Sequence, residues 1–271
     1  MREEQSAPMS AVGFVGAGRM GAPMVERLVQ AGHEVRVLGR SAEKRSAIAG
    51  LGATAVATTA EVSGGADVVI VCVFTDDQVA ELCLDGDLVT SMSAGATLVL
   101  HTTGSPRTAQ SVAEKFPHVA VVDAPVSGGP HDIAAGNVTL FVGGAQDVLA
   151  RIRPVLGAYG DPILHAGDTG AGQLVKLVNN TMFAAQIGLV AEGVRLGARF
   201  GVDEGALLNA LTHGSAQSRA LSMIASAGSA ETFISRVGEF IGKDVAVVRR
   251  TVADLGGTLG DLEPLVNAVA P

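Results

Sequence analysis

The most legible chemistry lies near the start of the chain, in Val15-Gly16-Ala17-Gly18-Arg19-Met20-Gly21. The segment follows the apolar run Ala11 to Val15 and opens the helical pattern Pro23 to Ala31. In that setting the glycines have separate tasks. Gly16 permits a tight turn, Gly18 lets the backbone come close to a ligand, and Gly21 lets the helix pack near the strand. The helix N-terminus then turns free N–H groups and its positive dipole end toward an anion. This is a cradle for a dinucleotide pyrophosphate, and Gly16, Ala17, Gly18, Arg19 and Met20 are expected to bind it.

A second cluster chooses between two dinucleotides. A site for NAD places Asp or Glu at the end of the next strand, where it binds the ribose 2′-hydroxyl. Here that strand, Glu34 to Leu38, ends in Leu38-Gly39-Arg40-Ser41. The tip has no carboxylate, and Glu34 is at the wrong end. Arg40 can pair with a 2′-phosphate and stack on the adenine, and Ser41 can add a hydroxyl. NADP(H) is therefore favoured over NAD(H).

These residues need a scaffold, and the alternation of patterns supplies one. Ala66 to Val73 is a continuous apolar run, as in a parallel strand covered on both faces. Leu98 to Leu100, Val119 to Val122 and Val138 to Val142 continue the series. Strand and helix in this rhythm predict a doubly wound, Rossmann-type parallel α/β sheet. From Gly170 to Phe200 there is no proline and no strand alternation, which predicts one long helix, with Asp168 or Thr169 capping its start and Gly201 ending it. Helical patterns follow at Asp203 to Leu211 and Glu231 to Leu255. The predicted organisation is a cofactor domain over 1–168 and an all-α substrate and dimerisation domain over 169–271.

Bulk properties narrow the function classes. The chain has 271 residues, 48% of them apolar, and a net charge of −8. The acidic balance argues against a nucleic-acid partner. The two cysteines, Cys72 and Cys83, suggest no disulfide framework. No apolar stretch, the longest being Ala66 to Phe74, approaches the ~18 residues needed to cross a bilayer. Met1-Arg2-Glu3-Glu4 lacks the pattern of a signal peptide. The expectation is a cytoplasmic protein without membrane, nucleic-acid or metal partners.

Several motifs, in order, resemble the β-hydroxyacid dehydrogenases, a family that includes 3-hydroxyisobutyrate dehydrogenase and tartronate semialdehyde reductase. The resemblance runs from about Val12 to Leu265. It rests on Gly16 to Met24, on Asp123-Ala124-Pro125-Val126-Ser127-Gly128-Gly129-Pro130, on Gly170-Ala171-Gly172-Gln173-Leu174-Val175-Lys176-Leu177-Val178-Asn179-Asn180, and on Lys243-Asp244. Thr102-Thr103-Gly104-Ser105-Pro106 adds a shorter match. The resemblance implies that Ser127, Gly128 and Gly129 bind the substrate carboxylate, through a hydroxyl and two backbone N–H groups. It implies Lys176 as the catalytic acid–base residue and Asn180 as its orienting partner, four residues on and on the same helix face. It places Thr103 beside the nicotinamide and Lys243 on the cofactor. Phe74 and Thr75, at the carboxyl end of their strand, should pass near the cofactor ribose.

The implied reaction moves a hydride to or from NADP(H) at the hydroxyl carbon of a small β-hydroxy acid, while Lys176 exchanges the hydroxyl proton. A lysine can act as a base only if its pKa falls toward neutrality, which burial and a positive nicotinamide ring both favour. An imine reductase on the same scaffold is one alternative, although such enzymes usually lack the lysine. A non-catalytic NADP(H)-binding protein is another, and a 6-phosphogluconate dehydrogenase-like phosphosugar enzyme a third. The last would want a basic cluster, and Arg195, Arg199 and Arg219 are scattered. Departures from the family are Leu100, where an Asp is common, and an end at Pro271, where the family usually continues. A partner subunit covering the helical domain is expected, in a homodimer or higher homo-oligomer. Gly214, Ser215, Gln217 and Arg219 are candidates to line the substrate pocket.

Overall fold

A computed structural model describes residues 10–254 and 256–269, apart from the side chains of residues 239 and 240. Met1 to Glu4, Leu255 and Pro271 lie outside the described residues. The chain forms two compact units, divided between Lys176 and Leu177.

The first unit is built in the order β1 (Ala11–Val15), α1 (Gly21–Gln30), β2 (Glu34–Leu38), α2 (Ala42–Gly50), β3 (Thr54–Val56), α3 (Thr59–Ser63), β4 (Val68–Val71) and α4 (Asp76–Ala80). A π-helical turn at Glu81–Asp85 leads on to β5 (Thr97–Leu100), α5 (Pro106–Lys115), β6 (Ala120–Asp123) and β7 (Val126–Ser127). Then come α6 (Pro130–Ala134), β8 (Val138–Gly143), α7 (Gln146–Leu156) and β9 (Gly160–Gly167). The strand order is β3-β2-β1-β4-β5-β6-β8-β7, with β9 paired to β8. From β3 to β6 every pairing is parallel. The fold is therefore Rossmann-type, as the sequence predicts, and the chain direction of the sheet order reverses at β1 and β4. Beyond β6 the sheet departs from the parallel expectation. There β8 runs antiparallel to β6 and β7, and β9 runs parallel to β8.

The apolar runs explain why these strands sit in the middle. Along β4, Val68 and Ile70 join one core cluster while Val69 and Val71 join the other. Successive side chains point to opposite faces, and both faces are covered. Phe14, Met24, Leu28 and Tyr159 fill the first cluster; Leu88, Leu98, Val112 and Phe116 fill the second.

The helical unit contains most of α8 (Ala171–Arg199), followed by α9 (Glu204–Leu211), α10 (Arg219–Ala227), α11 (Ala230–Asp254) and α12 (Glu263–Asn267). Its core gathers Ile187, Leu208, Leu221, Ile224, Phe233 and Val245. Asp203 caps α9 by accepting from the N–H of Ala206 at 2.9 Å. Gly201 ends α8 with φ +77, a backbone conformation for which glycine is the ordinary choice.

Two expectations about α8 change. Its start is not capped by the side chain of Asp168 or Thr169. Asp123, at the end of β6, does this: its carboxylate accepts from Gly170 N–H at 2.6 Å and Gln173 N–H at 2.7 Å. Sequence proximity favoured the neighbours, while the sheet delivers a better-placed acid from 47 residues away. Among the described residues, α8 is also long and apolar enough, by length and composition, to cross a bilayer, and 44% of its apolar window is buried within the protein. This corrects the expectation that no apolar stretch approaches that length; Asn179, Asn180, Gln186 and Gly188 are interspersed and hide the apolar character of the helix.

Candidate active site

The phosphate turn joins the carboxyl end of β1 to α1. Gly16 has φ +101, and a Cβ there would lie 2.2 Å from the carbonyl oxygen of Cys72. The turn thus lies directly against the end of β4. A Cβ on Gly21 would meet the carbonyl oxygen of Gly16 at 2.1 Å, so that position sets how closely α1 packs on the turn. Gly18 differs: a Cβ there would meet nothing within 4 Å. Its side is open, as a cradle for an incoming pyrophosphate requires. No side chain caps the N-terminus of α1, where Met20 is the capping residue. Within that first turn Ala22 N–H already donates to the Gly18 carbonyl at 2.8 Å and Pro23 has no N–H, so it is the positive end of the helix that suits an anion. Ala17 packs against the core, and Arg19 is exposed.

The tip of β2 carries more basic residues than the strand itself suggested. Arg40 is exposed, and Ser41 caps α2 by accepting from Lys44 N–H at 3.2 Å. Arg45, unremarked in the sequence, lies against Gly39 and donates to its carbonyl at 3.0 Å. The signal was there in retrospect, since Arg45 is four residues beyond the capping Ser41 and so belongs to the first turns of α2. Glu43 shares that first turn.

From the turn, a line of contacts leads to α8. The hydroxyl of Thr102 accepts from Val73 N–H and donates to Val73 carbonyl, both at 3.0 Å, which ties the end of β5 to the end of β4. Thr75 is half-buried and caps α4, its hydroxyl accepting from Gln78 N–H at 3.2 Å. Phe74 is exposed, and its N–H donates to Gln78 Oε1 at 3.0 Å. Thr103 is half-buried between buried Thr102 and Gly104. Behind this loop, His101 is fully enclosed. Its Nδ1 lies 2.6 Å from the Ala124 carbonyl, which can only accept, so Nδ1 carries the proton and Nε2 accepts from the Tyr159 hydroxyl at 2.8 Å. Burial lowers the His101 pKa to about 4, and the bond to Ala124 only partly opposes this.

On β7 and its turn, Ser127 is half-buried and Gly128 is exposed with φ +141. Gly129 is less available than expected, because its N–H donates to the Asp132 carboxylate at 2.6 Å. The expected pair of glycine N–H groups is thereby narrowed to that of Gly128. Asp123, just before this segment, is buried. Desolvation raises its pKa despite the backbone N–H groups that favour its charged form.

Lys176 is buried, in the second turn of α8. Asn180 lies one turn further along the helix, in the helical unit. Its Nδ2 donates to Asp244 at 2.6 Å, and its Oδ1 accepts from Asn179 at 3.1 Å. Asp244 also pairs with Lys243 at 3.3 Å. The Lys243-Asp244 motif is therefore joined to Asn180 by Asp244, a role not anticipated from two adjacent residues. Of the pocket candidates, Gly214, Ser215, Gln217 and Arg219 are exposed, and only Arg219 lines a surface cavity of about 430 Å³, with Ser222, Met223, Phe233 and Arg236.

The family model described as the NAD binding domain of 6-phosphogluconate dehydrogenase matches residues 11–167. A second, described as the NAD-binding of NADP-dependent 3-hydroxyisobutyrate dehydrogenase, matches residues 170–261. The 3-hydroxyisobutyrate dehydrogenase of Pseudomonas aeruginosa is 35% identical over 218 residues, 79% of this chain and 73% of that protein. The chain belongs to the β-hydroxyacid dehydrogenase family. The NAD-dependent L-serine dehydrogenase of the same organism is 37% identical over 198 residues, 72% of this chain and 66% of that protein. Among solved structures, Mycobacterium tuberculosis 3-hydroxyisobutyrate dehydrogenase with L-serine superposes with a TM-score of 0.86 at 28% identity, covering 96% of this chain and 92% of that one. Members of this family are NAD(P)-dependent dehydrogenases acting on CH–OH groups, and the glycine turn described above lies within the region matched by the NAD-binding family model.

Proposed function

We propose that the chain is an NADP(H)-dependent oxidoreductase that interconverts a small β-hydroxy acid and its semialdehyde, with Lys176 as the acid–base residue. The observation that carries this reading is a buried lysine on the second turn of α8, in a chain whose nucleotide-binding turn is complete. NADP(H), when bound, supplies the hydride chemistry. Gly16 to Met20 hold its pyrophosphate, while Phe74, Thr75 and Thr103 line its course along the strand ends. Ser127 and the N–H of Gly128 hold the substrate carboxylate, with Gly129 shaping the turn. Lys176 takes the hydroxyl proton in oxidation and returns it in reduction. Asn180, fixed by its bond to Asp244, orients the lysine, and Lys243 serves the cofactor.

The preference for NADP(H) is supported by Arg40, with Arg45 bonded to the Gly39 carbonyl next to it and no acid between Leu38 and Ser41. The small substrate is supported by two relatives named for 3-hydroxyisobutyrate and L-serine, both short acids with a hydroxyl two carbons from the carboxylate. The exposed apolar face of α8 supports a homodimer or higher homo-oligomer. Among the described residues no disulfide involves Cys72 or Cys83, which suits the reducing cytoplasm.

The test is a turnover screen with NADPH or NADH, short semialdehydes and 3-hydroxy acids, with Lys176→Ala and Arg40→Ala beside the parent chain. Lys176→Ala should lose turnover and keep NADPH binding; unchanged turnover would sink the assignment. Arg40→Ala should reduce the preference for NADPH over NADH by about tenfold, the loss of one charge-assisted contact.

A further inference from the structure

Gln173 is a buried polar side chain to which the proposed reaction gives no task. It lies on the first turn of α8 and is 2% exposed. Its Nε2 donates to the carbonyl of Thr102 at 2.8 Å, and its Oε1 accepts from the N–H of Gly104 at 3.0 Å. One carboxamide thus closes on the backbone at both sides of Thr103, as a neighbouring strand would. Its own backbone N–H is held by Asp123 at 2.7 Å. At Gly172 a Cβ would lie 2.4 Å from the carbonyl oxygen of Phe141, so the helix start has no room to slide against β8. The first turn of α8 is therefore fixed to β6, to β8 and to the loop between β5 and α5. Space filling does not call for a carboxamide here, since an apolar side chain of similar size would fill the same volume.

We infer that Gln173 is a positioning residue for the proposed proton transfer, setting Lys176 at a fixed register against the Thr102–Gly104 loop. This rests on the reading of Lys176 given above. Lys176 follows Gln173 by three residues, a rise of about 4.5 Å along the helix. Both hydrogen bonds of the carboxamide act across the gap between helix and loop. Losing them frees the loop bearing Thr103 to shift relative to the lysine, while the phosphate turn, held by other contacts, stays in place.

The test uses the full chain and compares Gln173→Leu, Gln173→Glu and Lys176→Ala for turnover of a short semialdehyde and for NADPH affinity. Gln173→Leu should lower kcat by about 100-fold, the scale expected from a misplacement of about 1 Å, with the Kd for NADPH unchanged within about twofold. Gln173→Glu adds a readout that packing alone would not move. A protonated Glu can donate to Thr102 and accept from Gly104, as the amide does; an ionised one faces the Thr102 carbonyl with two acceptors. The charged groups facing that spot are Asp123 from β6 and Asp76 beside Gly104 from α4, with Lys176 three residues on along α8, on the same side of the helix by its spacing. Burial and the two carboxylates favour the protonated form, and the lysine opposes it. Relative to the parent chain, Gln173→Glu should recover kcat as the pH is lowered, while Gln173→Leu stays flat. Parent-like kcat in Gln173→Leu, or a pH-independent ratio for Gln173→Glu, overturns the positioning role and leaves Lys176 in place if Lys176→Ala is inactive. An active Lys176→Ala overturns the reading of the lysine and this inference together. If Gln173→Leu does not fold, the pH dependence of Gln173→Glu decides.

Discussion

Residues before and after Leu177 treat their apolar side chains in different ways. In the Rossmann unit, the four residues of β4 are almost wholly enclosed, and the two core clusters cover both faces of the sheet. In the helical unit, one cluster forms the core, while Val178, Met182, Leu189, Leu196 and Phe200 of α8 and the residue after it stay exposed, Leu189 by 59% and Phe200 by 74%. Met182, Leu189 and Leu196 recur at intervals of two turns, so they share one face. The first unit encloses most of its apolar side chains and leaves Phe74, Leu164, Leu174 and Val175 exposed without a common stripe along one helix. The second presents a stripe of a kind that soluble proteins usually cover. The proposed function divides the same way. In the Rossmann unit the proposed cofactor turn rests largely on backbone geometry, while the candidates in the helical unit are paired polar side chains, Asn180 and Asp244.

If the backbone carries function in the first unit, two glycines two residues apart should respond in opposite ways. Gly16→Ala forces a side chain onto a backbone at φ +101 and into the Cys72 carbonyl. It should cost more than about 3 kcal/mol of stability, read by chemical denaturation. Gly18→Ala meets open space in the protein. It should change stability by less than about 0.5 kcal/mol yet weaken binding of the nicotinamide cofactor, because on the proposed reading the added methyl intrudes where the pyrophosphate would lie. Equal destabilisation by the two would break the distinction between a turn glycine and a cradle glycine.

A smaller effect tests how closed the first unit is. His101 is buried neutral, with its pKa lowered to about 4 by desolvation. The unfolded chain, with an ordinary histidine pKa near 6.5, binds this proton first as the pH falls. Its contribution to stability is therefore complete above about pH 6.5, declines below that, and is gone below pH 4. The full span is on the order of 3 kcal/mol. Thermal melts between pH 7 and 4 should fall more steeply for the parent chain than for His101→Gln. Parallel slopes would mean that water reaches the imidazole.

Much of this was legible in the sequence, for identifiable reasons. The strands β1 and β4 to β6 announce themselves because a strand covered on both faces is largely apolar, and the glycine turn because Gly16 and Gly21 leave no room for a side chain. The long helix and its Gly201 stop were readable for similar reasons. What escaped notice depends on contacts between distant segments. Asp123 caps α8 only because the sheet carries it there, and Gln173 reads as a helical residue until the Thr102–Gly104 loop folds against it. Gly129 looked like a free donor because the α6 carboxylate that takes its N–H lies in an unremarkable Pro-His-Asp stretch. The short strands β3 and β7 carry too few residues for a periodic signal, and the eight residues of β9, Gly-Asp-Pro-Ile-Leu-His-Ala-Gly, show neither an apolar run nor an alternation.

The smallest effect on the fold should come from the exposed stripe itself, and it bears most directly on the difference between the units. Leu189→Glu places a charge where the side chain already meets solvent in a single chain. The stability of the isolated chain should change by less than about 0.5 kcal/mol, as for other surface substitutions. If a second copy covers α8, the same change buries an unpaired carboxylate at the interface, and sedimentation should shift from dimer or higher oligomer toward monomer. A parent chain that sediments only as monomer would show that the helical unit tolerates its open apolar face. An oligomer indifferent to Leu189→Glu would move the interface to another surface. The Gly16 and His101 effects should persist in the dissociated variant, because the contacts behind them lie entirely within the Rossmann unit.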